Sequence, residues 1–181
     1  MQRFIPLSRG IDRVNYFVGQ LGLVMVLAST VLCFVNAIAR YAFNEGSNAL
    51  LESQWYLYAA VFMLGGGYGF LQNAHVRIDA VAQRFAQRTR NWIDVIGIVV
   101  FLFPLCIMMI GMGWPLLVQA YTSGETSFNP GGLIRWPVYA LIPVGFAFLL
   151  LQGVSELIKR LDYLYNDGPD ALAHRDNDSD Y

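Results

Sequence analysis

Few residues in this chain have the type and spacing to do chemistry. Two histidines, His75 and His174, and two cysteines, Cys33 and Cys106, are spread over 181 residues. Both cysteines fall deep inside apolar runs, with no C-x-x-C or metal-type spacing, so they are read as small packing residues. His174 lies in an acidic C-terminal stretch and His75 at the edge of an apolar run, so no pair of axial haem ligands is expected at membrane depth. There is no HExxH, no GxSxG and no P-loop. No catalytic, substrate-binding or metal-binding residue is assigned, no cofactor is expected, and the chain is not read as an enzyme. One carboxylate stands out. Glu52 adjoins a long apolar run, and acidic groups at such positions can mark an ion or proton path. It follows Ser47 and Asn48 closely, and either could cap a helix whose N-terminal dipole favours a Glu. Its edge position favours an interfacial, structural role over a coupling-ion site.

The elements around these residues follow from charge spacing. Hydrophobic residues make up 56% of the chain and charged residues 14%, against about 25% in ordinary soluble domains. There is too little charge to coat a soluble surface. Four uncharged stretches run from Val14 to Ala39, Ser53 to Val76, Val95 to Gly124 and Trp136 to Ser155. A helix needs about 20 apolar residues to cross the hydrocarbon of a bilayer, and all four qualify by length. The first ends in Ala37-Ile38-Ala39, a small-x-small pattern, but is too long for the apolar region of a signal peptide. The fold class expected is therefore all-α, an integral membrane domain over residues 1–161. Its four spans are placed at about 14–39, 53–74, 95–121 and 137–158. A tail of six Asp follows over 162–181 and is read as disordered.

Ten of the twelve Lys and Arg residues precede the first span, join the second to the third or follow the fourth. The positive-inside rule then places both termini in the cytoplasm of a bacterial inner membrane. Trp55, Tyr56 and Tyr58, opening the second span, and Trp136, opening the fourth, suit the opposite interface. No basic stripe is left over for nucleic acid. In the loop between the second and third spans, Ile78, Val81, Phe85 and Trp92 recur at helical spacing. This pattern fits a short amphipathic helix lying in the interface, or a cytoplasmic extension of the third helix. Ser123-Gly124 and Asn129-Pro130-Gly131-Gly132 mark the last loop as irregular. Gly65 and Gly69 form a small-xxx-small pair expected to let two helices approach closely. Pro104, Pro115 and Pro143 are expected to kink the third and fourth helices. Arg40 closes the first span on the same side as Glu52, so the two (or Glu45 in place of Glu52) are expected within ion-pair reach.

Several short motifs, in order, resemble one family. They are Ala39-Arg40-Tyr41, then Glu52-Ser53-Gln54-Trp55-Tyr56, then His75-Val76-Arg77-Ile78-Asp79, and finally Arg135-Trp136-Pro137 with the run through Pro143 to Glu156. On a four-helix frame this order is similar to the DctQ-like small membrane subunit of tripartite ATP-independent periplasmic (TRAP) transporters. The likeness covers roughly Ile11 to Arg160. It implies a hetero-oligomer with a large membrane subunit that carries solute on a sodium gradient, and a periplasmic solute-binding protein that delivers an organic acid or similar solute. It also implies contact with membrane lipid. Arg40, Glu52, Trp55, His75, Arg77, Asp79 and Trp136 are then the candidates for structural or subunit-interface roles. Two other classes stand beside this one. A self-sufficient four-helix transporter should carry a carboxylate in mid-helix, and an assembly subunit of a respiratory or similar complex should hold cofactor ligands.

Overall fold

The computed structural model describes residues 5–44, 46–72 and 86–166. Among these residues the regular structure is helical: α1 (Ile5–Ala42), α2 (Asn48–Leu71), α3 (Gln87–Ser123) and α4 (Trp136–Asn166). The all-α expectation holds. The helices run alternately up and down, because bonds between chain neighbours close at opposite ends. Ser8 near the start of α1 meets Ser155 near the end of α4, whereas Glu52 at the start of α2 meets Leu133 just before α4. α4 is the hub and packs on α1, α2 and α3; α1 also lies along α2.

Local sequence explains the helix boundaries. Ser47, in an extended conformation, caps α2 by accepting the Leu50 N–H. α3 ends at Gly124, whose φ of 62° lies in the left-handed region that favours glycine. Within α3, Ile98–Leu102 form a π-helical turn, and the Phe103 N–H donates to the Ile98 carbonyl. Pro104 supplies the cause. It has no N–H to donate, its ring crowds the carbonyl four residues back, and a widened turn just before it relieves both. Pro115 and Pro143 lie inside α3 and α4.

Two helices are longer than charge spacing suggested. α1 starts at Ile5 rather than near residue 14 and carries Arg9, Asp12 and Arg13 within it. α4 runs on to Asn166 instead of ending near 158, and Asp162 is buried rather than part of a tail. Both extensions exist because polar residues at the ends of α1 and α4 face each other, an attraction that a count of apolar residues does not register. In the loop before α3, residues 73–85 lie outside the described residues, and with them Ile78, Val81 and Phe85. Trp92 belongs to α3 itself, which starts at Gln87.

Burial is inverted relative to a soluble protein. The buried residues of α1 are Ser8, Asn15, Ser29 and Asn36. Their numbers step by seven, with Gly22 at the missing position, so one polar seam follows the left-handed crossing of packed helices. Large apolar side chains point outward instead. On α1 these include Phe17, Leu23, Leu27 and Phe34, and on α3 Phe101, Ile107, Met112 and Trp114. α1, α3 and α4 are long and apolar enough to cross a membrane. α2 has the length but falls short in hydropathy, since its tyrosines, glycines and Gln54 dilute the apolar residues. An apolar surface of this extent belongs to a multi-pass membrane protein.

Close helix contacts fall on different glycines from those expected. Gly65 and Gly69 face open space, so within this chain they bring no helices together. They sit on the face of α2 turned away from α1 and α4. The close approaches of α2 to its neighbours include Gly67, beside Asn15 and the Phe148 carbonyl, and Gly145 of α4, where an added Cβ would lie 2.6 Å from the Met63 carbonyl oxygen. Because the obstacle at Gly145 is backbone, α4 would have to move away from α2. Gly145→Ala is expected to destabilise the bundle by about 1–3 kcal/mol. Gly65→Ala should leave it unchanged or raise stability by up to about 1 kcal/mol through helix propensity. Reversible unfolding of the two variants in detergent checks the contrast.

Candidate functional site

Two polar clusters close the bundle at its opposite ends. At the loop end, Glu52 is the centre. Its side chain is only 3% exposed, covered by the segment between α3 and α4. The Ser127 hydroxyl and the Asn129 side-chain amide (2.8 Å) donate to one carboxylate oxygen, and the Leu133 N–H (2.7 Å) donates to the other. The segment is shaped to deliver these donors. Thr126 and Ile134 form an antiparallel bridge, and the Ser127 N–H donates to the Leu133 carbonyl. Gly131 adopts a positive φ of 71° to turn the chain. Gly132 has to be glycine, since a Cβ there would come within 2.9 Å of both Glu52 oxygens. Asn48 and Tyr56 of α2 add bonds to the carbonyls of Pro130 and Ile134. Arg135 pairs with Glu125 at 2.8 Å and lies over the Phe128 ring. A loop that its turn residues mark as irregular is therefore fastened to α2 through one carboxylate.

At the end where α1 begins and α4 finishes, three helices share a second cluster. Asn15 of α1 donates to Gln152 of α4 at 2.9 Å, and Gln152 donates to Asp12 at 2.9 Å. The hydroxyls of Ser8 and Ser155 are 2.7 Å apart, and Ser155 also bonds Asp12. Lys159 pairs with Asp12 at 2.7 Å and with Glu156 at 2.9 Å. Arg160, next along α4, pairs with Asp94 of α3 and lies 3.8 Å from Glu156. The result is a ladder of alternating charge from α1 across α4 to α3: Asp12, Lys159, Glu156, Arg160, Asp94. Glu156 and Arg160 are almost fully buried. A buried charge costs several kcal/mol unless paired, so the alternation is what makes this interior tolerable.

The sequence-derived candidates scatter across this frame. Glu52 anchors the loop, while Arg40 is exposed, and the carboxylate that was expected to meet it is bound to the loop instead. Glu45, the other proposed partner, lies outside the described residues, as do His75, Arg77 and Asp79. Trp55 is exposed near the start of α2, and Trp136 opens α4 edge-to-face on Tyr121, centroids 5.8 Å apart. The charge ladder of the terminal cluster was not foreseen. A signal existed: Gln152, Ser155, Glu156 and Lys159 recur every three or four residues on one face of an otherwise apolar helix, as do Ser8, Asp12 and Asn15. Among the described residues no group of three His, Cys, Asp or Glu could hold a metal ion.

Residues 29–162, carrying most of both clusters and all four helices in part or whole, match the family model described as tripartite ATP-independent periplasmic transporters, DctQ component. The chain belongs to this family. Two curated DctQ relatives are similar to it, each named a C4-dicarboxylate TRAP transporter small permease protein. The one from Vibrio cholerae is 26% identical over 145 residues, covering 69% of this chain and 62% of its own length. The one from Pseudomonas aeruginosa is 25% identical over 124 residues, covering 64% and 54%. The chain thus spans less than two thirds of either relative. No solved structure matches it.

For a DctQ component, the loop anchor gives a test in pH. Glu52 lies one residue before the expected second span. The Ser127 hydroxyl above all, then the Leu133 N–H and the Asn129 amide, hold its carboxyl below the ordinary glutamate range. A folded pKa below the unfolded value contributes stability above the unfolded value, and that stability is lost as pH falls through the folded one. Hydrogen exchange at the Leu133 amide should be strongly protected at neutral pH, and that protection, taken relative to the intrinsic rate at each pH, should fall once the pH drops below the ordinary glutamate value of about 4.3. Glu52→Gln should accelerate it at neutral pH by about tenfold or more, the loss of one charge-assisted bond.

Proposed function

We propose that this chain is the small permease subunit of a TRAP-type secondary transporter, supporting a large membrane subunit that performs sodium-coupled uptake. The family match over residues 29–162 carries the reading. The structure supports a supporting role over a transporting one. The mid-helix polar groups of α1 lie in a seam between packed helices, and the charges at depth in the terminal cluster pair with one another. Both Glu52 oxygens hold the loop, so this carboxylate is not presented to a coupling ion, which disfavours a self-sufficient transporter. Outward there are broad apolar faces on α1 and α3, suited to lipid and to the helices of a partner.

In this reading α2 beyond Glu52, residues 53–71, is the fourth span. Its buried Gln54 and Gly67 lower its hydropathy but are covered by protein and not by lipid. Both termini face the cytoplasm of a bacterial inner membrane, as the distribution of Lys and Arg asks. The bound loop between α3 and α4 then faces the periplasm, where a solute-binding protein delivers its cargo. Alternating access needs a mobile element working against a fixed one, and a bundle locked at both ends suits the fixed part. An organic acid is the solute class, and a C4-dicarboxylate, after the names of the two relatives, is the first to assay.

Reconstitution in liposomes tests this. With a sodium gradient and a loaded binding protein, the large subunit and this chain together should accumulate solute, and this chain alone should accumulate none. Uptake by the lone chain, or full uptake by the large subunit without it, would refute the assignment.

A further inference from the structure

Between the ends of α2, α3 and α4 nearest the charge ladder lies a groove of about 420 Å³. Its walls are Phe70 of α2 and, on α3, Ile93, Ile98, Phe101, Leu102 and Leu105. The α3 residues fall on one face of that helix, and the π turn at Ile98–Leu102 forms its middle. Gly97 sits there too, and a Cβ built on it meets nothing within 4 Å, so the groove is open at that point. Asp94 and Arg160 also line it, but they pair with each other and add little net charge.

One cation heads the same face. Arg90 lies three and four residues before Ile93 and Asp94, on the helix face that carries the groove. It makes no ion pair among the described residues, and the first turn of its helix contains no acid. From Arg90 to Leu105 the helix rises about 22 Å, at 1.5 Å per residue. Half a bilayer, headgroups included, measures about 20–22 Å. The lining itself, from Ile93 to Leu105, rises about 18 Å. Arg88 nearby donates to the Leu164 carbonyl. With Arg90 above it, this face has the length of one leaflet, an apolar wall for its depth, and at headgroup level a cation with no ion pair among the described residues. That charge lies at the Arg-rich end of the molecule, where anionic lipid accumulates.

We propose that this groove binds one anionic phospholipid, its phosphate on Arg90 and an acyl chain along Gly97, Phe101 and Leu105. The inference rests on α3 spanning the membrane and not on the transporter assignment, so either can fail without the other. A bound lipid would fill the space beside the π turn and cover apolar side chains that the bundle leaves bare. Ile93, Phe101 and Leu105 are all exposed.

Native mass spectrometry of the full-length chain, released from detergent supplemented with equal phosphatidylglycerol and phosphatidylcholine, tests it. The wild type should retain phosphatidylglycerol about fivefold over phosphatidylcholine, as one cation near an anionic headgroup would give. Arg90→Gln should abolish the preference while leaving residual binding of both lipids. Gly97→Phe, whose Cβ meets nothing within 4 Å and whose ring would occupy the groove, should lose both, with helicity unchanged by circular dichroism. Equal retention of the two lipids by the wild type, or undiminished phosphatidylglycerol on Gly97→Phe, would overturn the proposal. So would cross-linking of Gly97→Cys to a helix of a co-expressed large subunit, because a protein would then occupy the groove.

Discussion

Lys159 and Arg160 are neighbours on α4, yet they reach different helices: Lys159 holds Asp12 of α1, and Arg160 holds Asp94 of α3. Glu156, one turn earlier, is shared between them. The rest of the structure depends on this shared counterion. In lipid there is no hydrophobic force between helices, because hydrocarbon is as apolar as leucine. Helices must be held by close packing and by polar groups that have no better partner. The ladder supplies the polar hold at one end, Glu52 and its loop supply it at the other, and Gly67 and Gly145 allow close packing between them.

A bundle held from inside has its apolar residues to spare. They point outward on α1 and α3, where a soluble protein would place charge. The same arrangement sets what the chain can do. The charges of the ladder are paired with one another and Glu52 is held by the loop, so a permeant ion would have to break these contacts to enter. Its surface is free for lipid and for neighbouring helices. That division fits the proposed supporting role better than transport by the chain itself.

The four-helix frame was legible because charge is so unevenly spaced: Arg13, Arg40, Glu52, Arg77, Asp94, Glu125, Arg135 and Glu156 bracket the apolar runs. Yet this reading treated charges as boundaries, and that was its weakness. Asp12 and Glu156 are not where helices stop but where they bind each other, so α1 and α4 run further than the runs suggested. The glycines misled for a related reason. Spacing identifies Gly65 and Gly69 as a pair, but which face of α2 meets α1 and α4 is decided by partners distant in sequence, and it selects Gly67. Glu52 was read as structural from its edge position, with Arg40 as its partner; in the structure its carboxylate meets the loop and not Arg40. The donors Ser127, Asn129 and Leu133 lie more than 70 residues away, beyond any local pattern.

The central claim is that polar pairing, not apolar burial, holds this bundle together. Glu156→Leu tests it directly, since the substitution makes a buried site more apolar at similar size. Stability measured by reversible unfolding in bilayers or mild detergent should fall by about 3 kcal/mol, because Lys159 and Arg160 lose the carboxylate they share. A variant as stable as the wild type, or more so, would contradict the account.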